Sequence, residues 1–169
     1  MKMFEKTVIA ASVMVLVTAG AACAQTPSRL NQFEAWGAYS YKSSQNTICY
    51  VLSVPLKALP TTVNHGDNFF LVTKRSQSPV SFEPQFMAGY TLQEGSRVTV
   101  TIGDKDFDFF TKDSSAWLAS SELEKQLVSA MRAGNNMTVK AISKRGTHTT
   151  YTYSLKGVTA ALNAAQKCH

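Results

Sequence analysis

Between Arg97 and Thr111 the chain alternates so regularly that it constrains the fold more than any other stretch. In Arg97-Val98-Thr99-Val100-Thr101-Ile102 the valines and Ile102 fall on one face, the period of a strand buried on one side. Gly103-Asp104 supplies a turn, and residues 105–111 return with Phe107 and Phe109 sharing a face. This predicts a β-hairpin, and an isolated hairpin is not stable in water. The rest of the chain must therefore supply more strands and a second apolar surface.

The remaining segments meet that demand. Residues 33–41 are rich in aromatics, and Ser43-Ser44-Gln45-Asn46 reads as a turn. Residues 47–54 form a β-rich run ended by Pro55 and a proline-bearing loop through Pro60. Gly66-Asp67-Asn68 introduces a strand over 69–74, and 76–79 is the next turn. Residues 80–86 read as a weaker strand, because Pro84 cannot donate to a ladder and belongs on an edge or bulge. Ser121-Glu122-Leu123-Glu124 has the form of a capping box, with Ser121 as N-cap. Leu123, Leu127, Val128 and Met131 then make a helical stripe that Gly134 closes. Strands follow over 137–143 and 148–155, joined at Lys144-Arg145-Gly146, and 157–167 is a short alanine-rich helix. Strands outnumber helices and no βαβ rhythm appears. The expected fold class is therefore mainly β, an antiparallel two-sheet sandwich with one or two short helices.

The N-terminus predicts a compartment. Lys2 and Lys6 precede an apolar run over 8–19, and Ala22-Cys23-Ala24 has the small-x-small form that signal peptidase cuts. The run is about a dozen residues, short of the roughly 20 that span a bilayer. Cleavage between Ala24 and Gln25 makes residues 1–24 a removed signal, 25–31 a polar leader and 32–169 a single domain. A competing reading makes Cys23 a lipidated N-terminus, though Gly20 stands where such signals usually carry leucine. Either way the mature protein is expected in the periplasm or outside the cell, outer-membrane association included. Of 17 basic and 11 acidic residues, removal takes Lys2, Lys6 and Glu5 and leaves 15 and 10. The excess is scattered and the compartment is wrong for nucleic acid, so none is expected as a partner. Loose attraction to lipopolysaccharide or anionic headgroups fits better, beside the plainer reading of a solvated surface of mixed sign.

The mature chain keeps Cys49 and Cys168. Two thiols in an oxidising compartment read as one disulfide, the alternative being two unpaired buried cysteines. Metal and cofactor are not expected. Asp104-Lys105-Asp106-Phe107-Asp108 opens like a calcium loop, but Phe109 and Ser115 replace the required glycine and glutamate. His65, His148 and His169 lie far apart, without metal-ligand spacing. There is no G-x-S-x-G, H-E-x-x-H or C-x-x-C, so no catalytic residue is proposed. One alternative, a periplasmic hydrolase built from dispersed residues, would need a buried Ser or Asp beside His65 or His148; the other is a structural or chaperone-like envelope subunit. Tyr90, Tyr151 and Tyr153 could decorate a binding surface, although alternation favours core filling for the last two.

The order of motifs resembles the invasion-associated locus B family of exported bacterial proteins. The matching pieces begin with Trp36-Gly37-Ala38-Tyr39, Cys49-Tyr50 and Pro55. They continue with Gly66-Asp67, Phe69-Phe70-Leu71-Val72, Gly89-Tyr90 and Val100-Thr101-Ile102-Gly103. Phe110-Thr111-Lys112-Asp113, Ala116-Trp117 and Met131-Arg132-Ala133-Gly134 follow. The most specific is Ser143-Lys144-Arg145-Gly146-Thr147 with Thr149-Thr150-Tyr151-Thr152-Tyr153-Ser154-Leu155 and Gly157. One departure is Tyr151, where that late motif leads one to expect aspartate. The resemblance implies an immunoglobulin-like sandwich at the cell envelope, without catalytic residues, that binds an envelope or host partner and supports invasion in host-entering bacteria. Lys144, Arg145 and His148 form the candidate binding turn.

Overall fold

The computed structural model describes residues 26–43, 46–75 and 79–169. The expected export signal with its Ala24–Gln25 cleavage point, Cys23, and residues 44–45 and 76–78 of two turn clusters lie outside the described residues.

In chain order the elements are β1 (Ser28–Phe33), β2 (Trp36–Lys42), β3 (Thr47–Ser53), β4 (Lys57–Leu59), β5 (Phe69–Arg75) and β6 (Ser81–Met87). Then come β7 (Arg97–Ile102), β8 (Lys105–Lys112), β9 (Ser115–Trp117), α1 (Ser121–Ala133), β10 (Asn136–Ile142), β11 (His148–Ser154) and α2 (Val158–Lys167). All pairings between them are antiparallel, in the order β1-β2-β3-β5-β6-β9-β8-β7-β10-β11-β4. The expected hairpin is β7–β8, with Val100 opposite Phe107 and Val98 opposite Phe109.

The sandwich is mainly antiparallel, as the sequence predicts, but its two layers are halves of one hydrogen-bonded sheet. The three-residue β9 pairs with β6 on one side and β8 on the other and so joins them. Across the core, Phe70 of β5 meets Phe109 of β8 and Tyr153 of β11 edge-on at 6.1 and 6.0 Å between ring centroids. Phe86 of β6 lies 5.7 Å from Tyr151 of β11. The Trp36 indole N–H donates to the Ser154 carbonyl at 2.9 Å, a bond from β2 to β11. These aromatic pairs, two edge-to-face and one tilted, add to the burial of large apolar area. Both helices pack on the first layer, α2 against β1, β2, β3 and β5, and α1 against β6.

Several local expectations shift. Residues 28–31, read as leader, belong to β1, which pairs with β2. Its side chains are exposed except for half-buried Phe33, so no alternation announced it. β4 lies inside the segment read as a proline loop, and both β4 and β9 are only three residues long, too short for a period to show. Pro84 sits on β6 just beyond the reach of β9, which pairs only Gln85 to Met87, so that edge needs no N–H from it.

The cap of α1 moves by one residue. Ser120, not Ser121, is the N-cap, its hydroxyl accepting from the Leu123 N–H at 3.3 Å. The buried stripe becomes Glu124, Leu127, Val128 and Met131, leaving Leu123 exposed. An ion pair makes a buried glutamate tolerable there. Both Arg75 terminal nitrogens donate to the Glu124 carboxylate, at 2.6 and 2.9 Å, and its Nε donates to Glu83 at 2.8 Å. Burial alone would lower the Arg75 pKa; the bonds to Glu124 and then Glu83 outweigh it and hold it above the ordinary value.

Candidate functional site

The chain leaves β3 in the first layer, crosses to pair as β4 with β11, and returns as β5 beside β3. Ala58 lies opposite Tyr151, so the loop that follows β4 is delivered to the same end of β11. That loop carries His65. The connection between β6 and β7 carries Tyr90 to meet it. The two backbones press together at Gly66 and Gly89. A Cβ on Gly66 would lie 2.7 Å from the Gly89 carbonyl oxygen, and one on Gly89 would lie 2.5 Å from the Asp67 nitrogen. Only glycine allows this approach. The buried side chain of Asn68 stitches it: its amide donates to the carbonyls of His65 and Gly66, both at 3.0 Å, and its oxygen accepts from the Gly89 N–H at 3.2 Å.

Above this junction lies the β10–β11 turn. Ser143 N–H donates to the Thr147 carbonyl at 2.9 Å, and the Thr147 N–H returns to the Ser143 hydroxyl at 3.1 Å. The Lys144 N–H donates to the Thr91 carbonyl at 2.8 Å and pins the turn to the neighbouring connection. A cavity of about 220 Å³ opens between the turn and the His65 loop. Its lining includes His65, Tyr90, Ser143, Lys144, Arg145 and Thr149, and no carboxylate among the described residues.

The floor is a polar chain. His65 Nε2 lies 2.9 Å from the Pro60 carbonyl and Nδ1 lies 2.9 Å from the Tyr151 hydroxyl. The Tyr151 hydroxyl is 3.1 Å from that of Tyr90, and the Tyr90 hydroxyl is 2.6 Å from that of Thr149. The Thr149 hydroxyl donates to the Ala141 carbonyl at 3.2 Å. Burial first, then the Tyr90 hydrogen bond, raises the Tyr151 pKa well above the ordinary phenol value.

The structure divides the candidate turn. Lys144 and Arg145 line this cavity, whereas His148 lies in a separate groove with Arg97, Thr99 and Lys140. His148 is exposed at the start of β11 and Thr149 beside it is buried, because successive strand residues face opposite sides. Both His65 nitrogens are engaged, by the Tyr151 hydroxyl and the Pro60 carbonyl, and neither partner is the serine or aspartate of the hydrolase reading. Asp106 and Asp108 are exposed and accept from Thr101 and Thr99 at 2.7 and 2.9 Å. Tyr151 and Tyr153 are fully buried, and Tyr151 fills the core while its hydroxyl serves the polar chain. Cys49 and Cys168 are joined in a disulfide, 6.2 Å between Cα atoms, away from the cavity. Sequence reasoning missed Asn68 and Thr149; the isolated glycines at 66 and 89 were the available signal, marking a close backbone approach.

The profile of the invasion-associated locus B proteins matches residues 36–166. The chain belongs to this family. The family match covers β2 to the last turn of α2 and so includes the whole cavity. The crystal structure of invasion associated protein B from Bartonella henselae is similar to it, with a TM-score of 0.57 and 12% sequence identity. That similarity covers 80% of this chain and 94% of the Bartonella chain, and at such low identity it speaks to the fold. No curated protein matches the sequence. Among the described residues, no helix is long and apolar enough to cross a membrane.

Proposed function

We propose that this invasion-associated locus B protein is an exported envelope protein that engages an anionic partner, at the envelope or on a host surface, through the Lys144–Arg145 turn. The single observation that supports the reading is the cavity beneath that turn, which two cations and no carboxylate line among the described residues. A pinned turn loses less freedom on binding than a loose one, so its charges are pre-organised. Support for host-cell invasion, which the family name carries, is the proposed biological setting. The binding role is non-enzymatic: the cavity holds hydrogen-bonded hydroxyls and an engaged imidazole in place of a nucleophile paired to a base.

The test is retention of the purified protein on envelope fractions and on vesicles containing phosphatidylglycerol, at low and high salt. Retention should fall with salt, because exposed charges are screened. Lys144→Ala with Arg145→Ala should weaken it by about tenfold or more, at roughly 1 kcal/mol per cation near an anionic surface. Retention unchanged by the double substitution would remove the turn as the contact.

A further inference from the structure

We infer that the cavity under Lys144 and Arg145 is a binding site for an oxyanion group, a sulfate or phosphate, and that the proton on His65 sets its affinity. The inference rests on the anionic-partner reading above and adds the ligand's chemistry and its control.

The argument is a count of protons. The floor contains five hydrogen-bonded links: Pro60 carbonyl to His65, His65 to Tyr151, Tyr151 to Tyr90, Tyr90 to Thr149, and Thr149 to the Ala141 carbonyl. Both ends are carbonyl oxygens, which can only accept. Tyr151, Tyr90 and Thr149 bring one hydroxyl proton each, and a neutral imidazole brings one more. Four protons cannot fill five links. With His65 neutral one link stays open, and while Tyr151 donates to Tyr90 and Thr149 to Ala141 it is one of the two links at the imidazole. An imidazolium supplies the fifth proton. Its Nδ1–H then donates to Tyr151, every hydroxyl donates away from His65, and all five links are made. One proton taken from solvent thus completes the chain and places a positive charge in the cavity lining.

That charge joins Lys144 and Arg145 around a space that no carboxylate lines among the described residues. The other groups facing His65 are the Tyr151 hydroxyl from β11 and the Tyr90 hydroxyl from the β6–β7 connection. Asp67 is the exposed acidic residue of the His65 loop. Glu94 and Asp113 line a separate groove on the far side of Lys144. The two cations oppose the imidazolium when the cavity is empty, and a bound oxyanion offsets them. Proton uptake and anion binding therefore favour each other reciprocally. Histidine is the side chain whose charge ordinarily changes between about pH 5 and 8, which sets the two ends of the comparison.

The experiment titrates the purified protein with sulfate, which keeps its charge across that range, and in parallel with phosphatidylglycerol vesicles. Ring-nitrogen NMR shifts of His65 report its protonation. Sulfate should shift the His65 and Tyr90 signals and bind about tenfold tighter at about pH 5.5 than at about pH 7.5, the scale expected for one added charge in a partly desolvated cavity. His65→Gln and, as a second variant, Tyr151→Phe, which removes the second and third links, should flatten that pH dependence. A pH step seen with free sulfate assigns the site to the oxyanion itself; one seen only on vesicles assigns it to a lipid headgroup. Equal affinity at both pH values, while Lys144→Ala with Arg145→Ala still weakens binding, would overturn the His65 role and leave the anionic-partner reading standing. Binding indifferent to those two cations at either pH would sink both.

Discussion

At the scale of single residues, Tyr153 is the anomaly of the core. Its hydroxyl is fully buried and has no hydrogen-bond partner among the described residues, which costs about 1–3 kcal/mol relative to solvent. Tyr153→Phe keeps the ring against Phe70 and removes the orphan. We expect it to raise stability by about 1 kcal/mol and Tm by roughly 3–5 °C; a lower Tm in thermal unfolding would mean the hydroxyl has a partner in solution. Tyr151 and Tyr153 also set a pH limit. Burial, ahead of the neighbouring tyrosines, raises both pKa values above the ordinary phenol value. In the unfolded chain each ionises near pH 10; in the fold each stays protonated beyond that. Above about pH 10 the unfolded state binds fewer protons, so stability is full below that pH and falls as pH rises, by up to about 1.4 kcal/mol per unit for each tyrosine. Denaturant titrations between neutral and strongly alkaline pH should show this fall, and a variant carrying Tyr151→Phe with Tyr153→Phe should show less of it.

Elements were legible where a period runs long enough to repeat. β7–β8 could be read residue by residue because Val98, Val100, Phe107 and Phe109 face one core. The start of α1 was not, because Ser120 and Ser121 are both acceptable caps by sequence. The choice is made by Arg75, 49 residues away, which draws Glu124 into the buried stripe and turns Leu123 outward. Ser120→Ala should therefore cost about 1 kcal/mol, whereas Ser121→Ala should cost much less; equal losses in chemical denaturation would contradict the observed cap. The candidate site was half legible. Lys144-Arg145-Gly146 announced a turn, but His65 meets Tyr151 across 86 positions. That meeting depends on the crossover through β4, which carries no pattern of its own.

For the whole molecule, the disulfide ties β3 to the residue that caps α2 and spans a sequence separation of 119. Closing a loop of that length stabilises by about 4–5 kcal/mol on the chain-entropy model. Cys49→Ser with Cys168→Ser should lower the unfolding free energy toward that amount, and thiol blocking before and after reduction should find both sulfurs protected until reduced. The two tryptophans give such measurements a built-in optical readout. Trp36 is fully buried and bonded across the layers to Ser154, while Trp117 lies half-buried, tilted against exposed Phe110 at 6.0 Å. Iodide should quench the second and spare the first, so a red-shifted, newly quenchable emission component marks the moment the two halves of the sheet part.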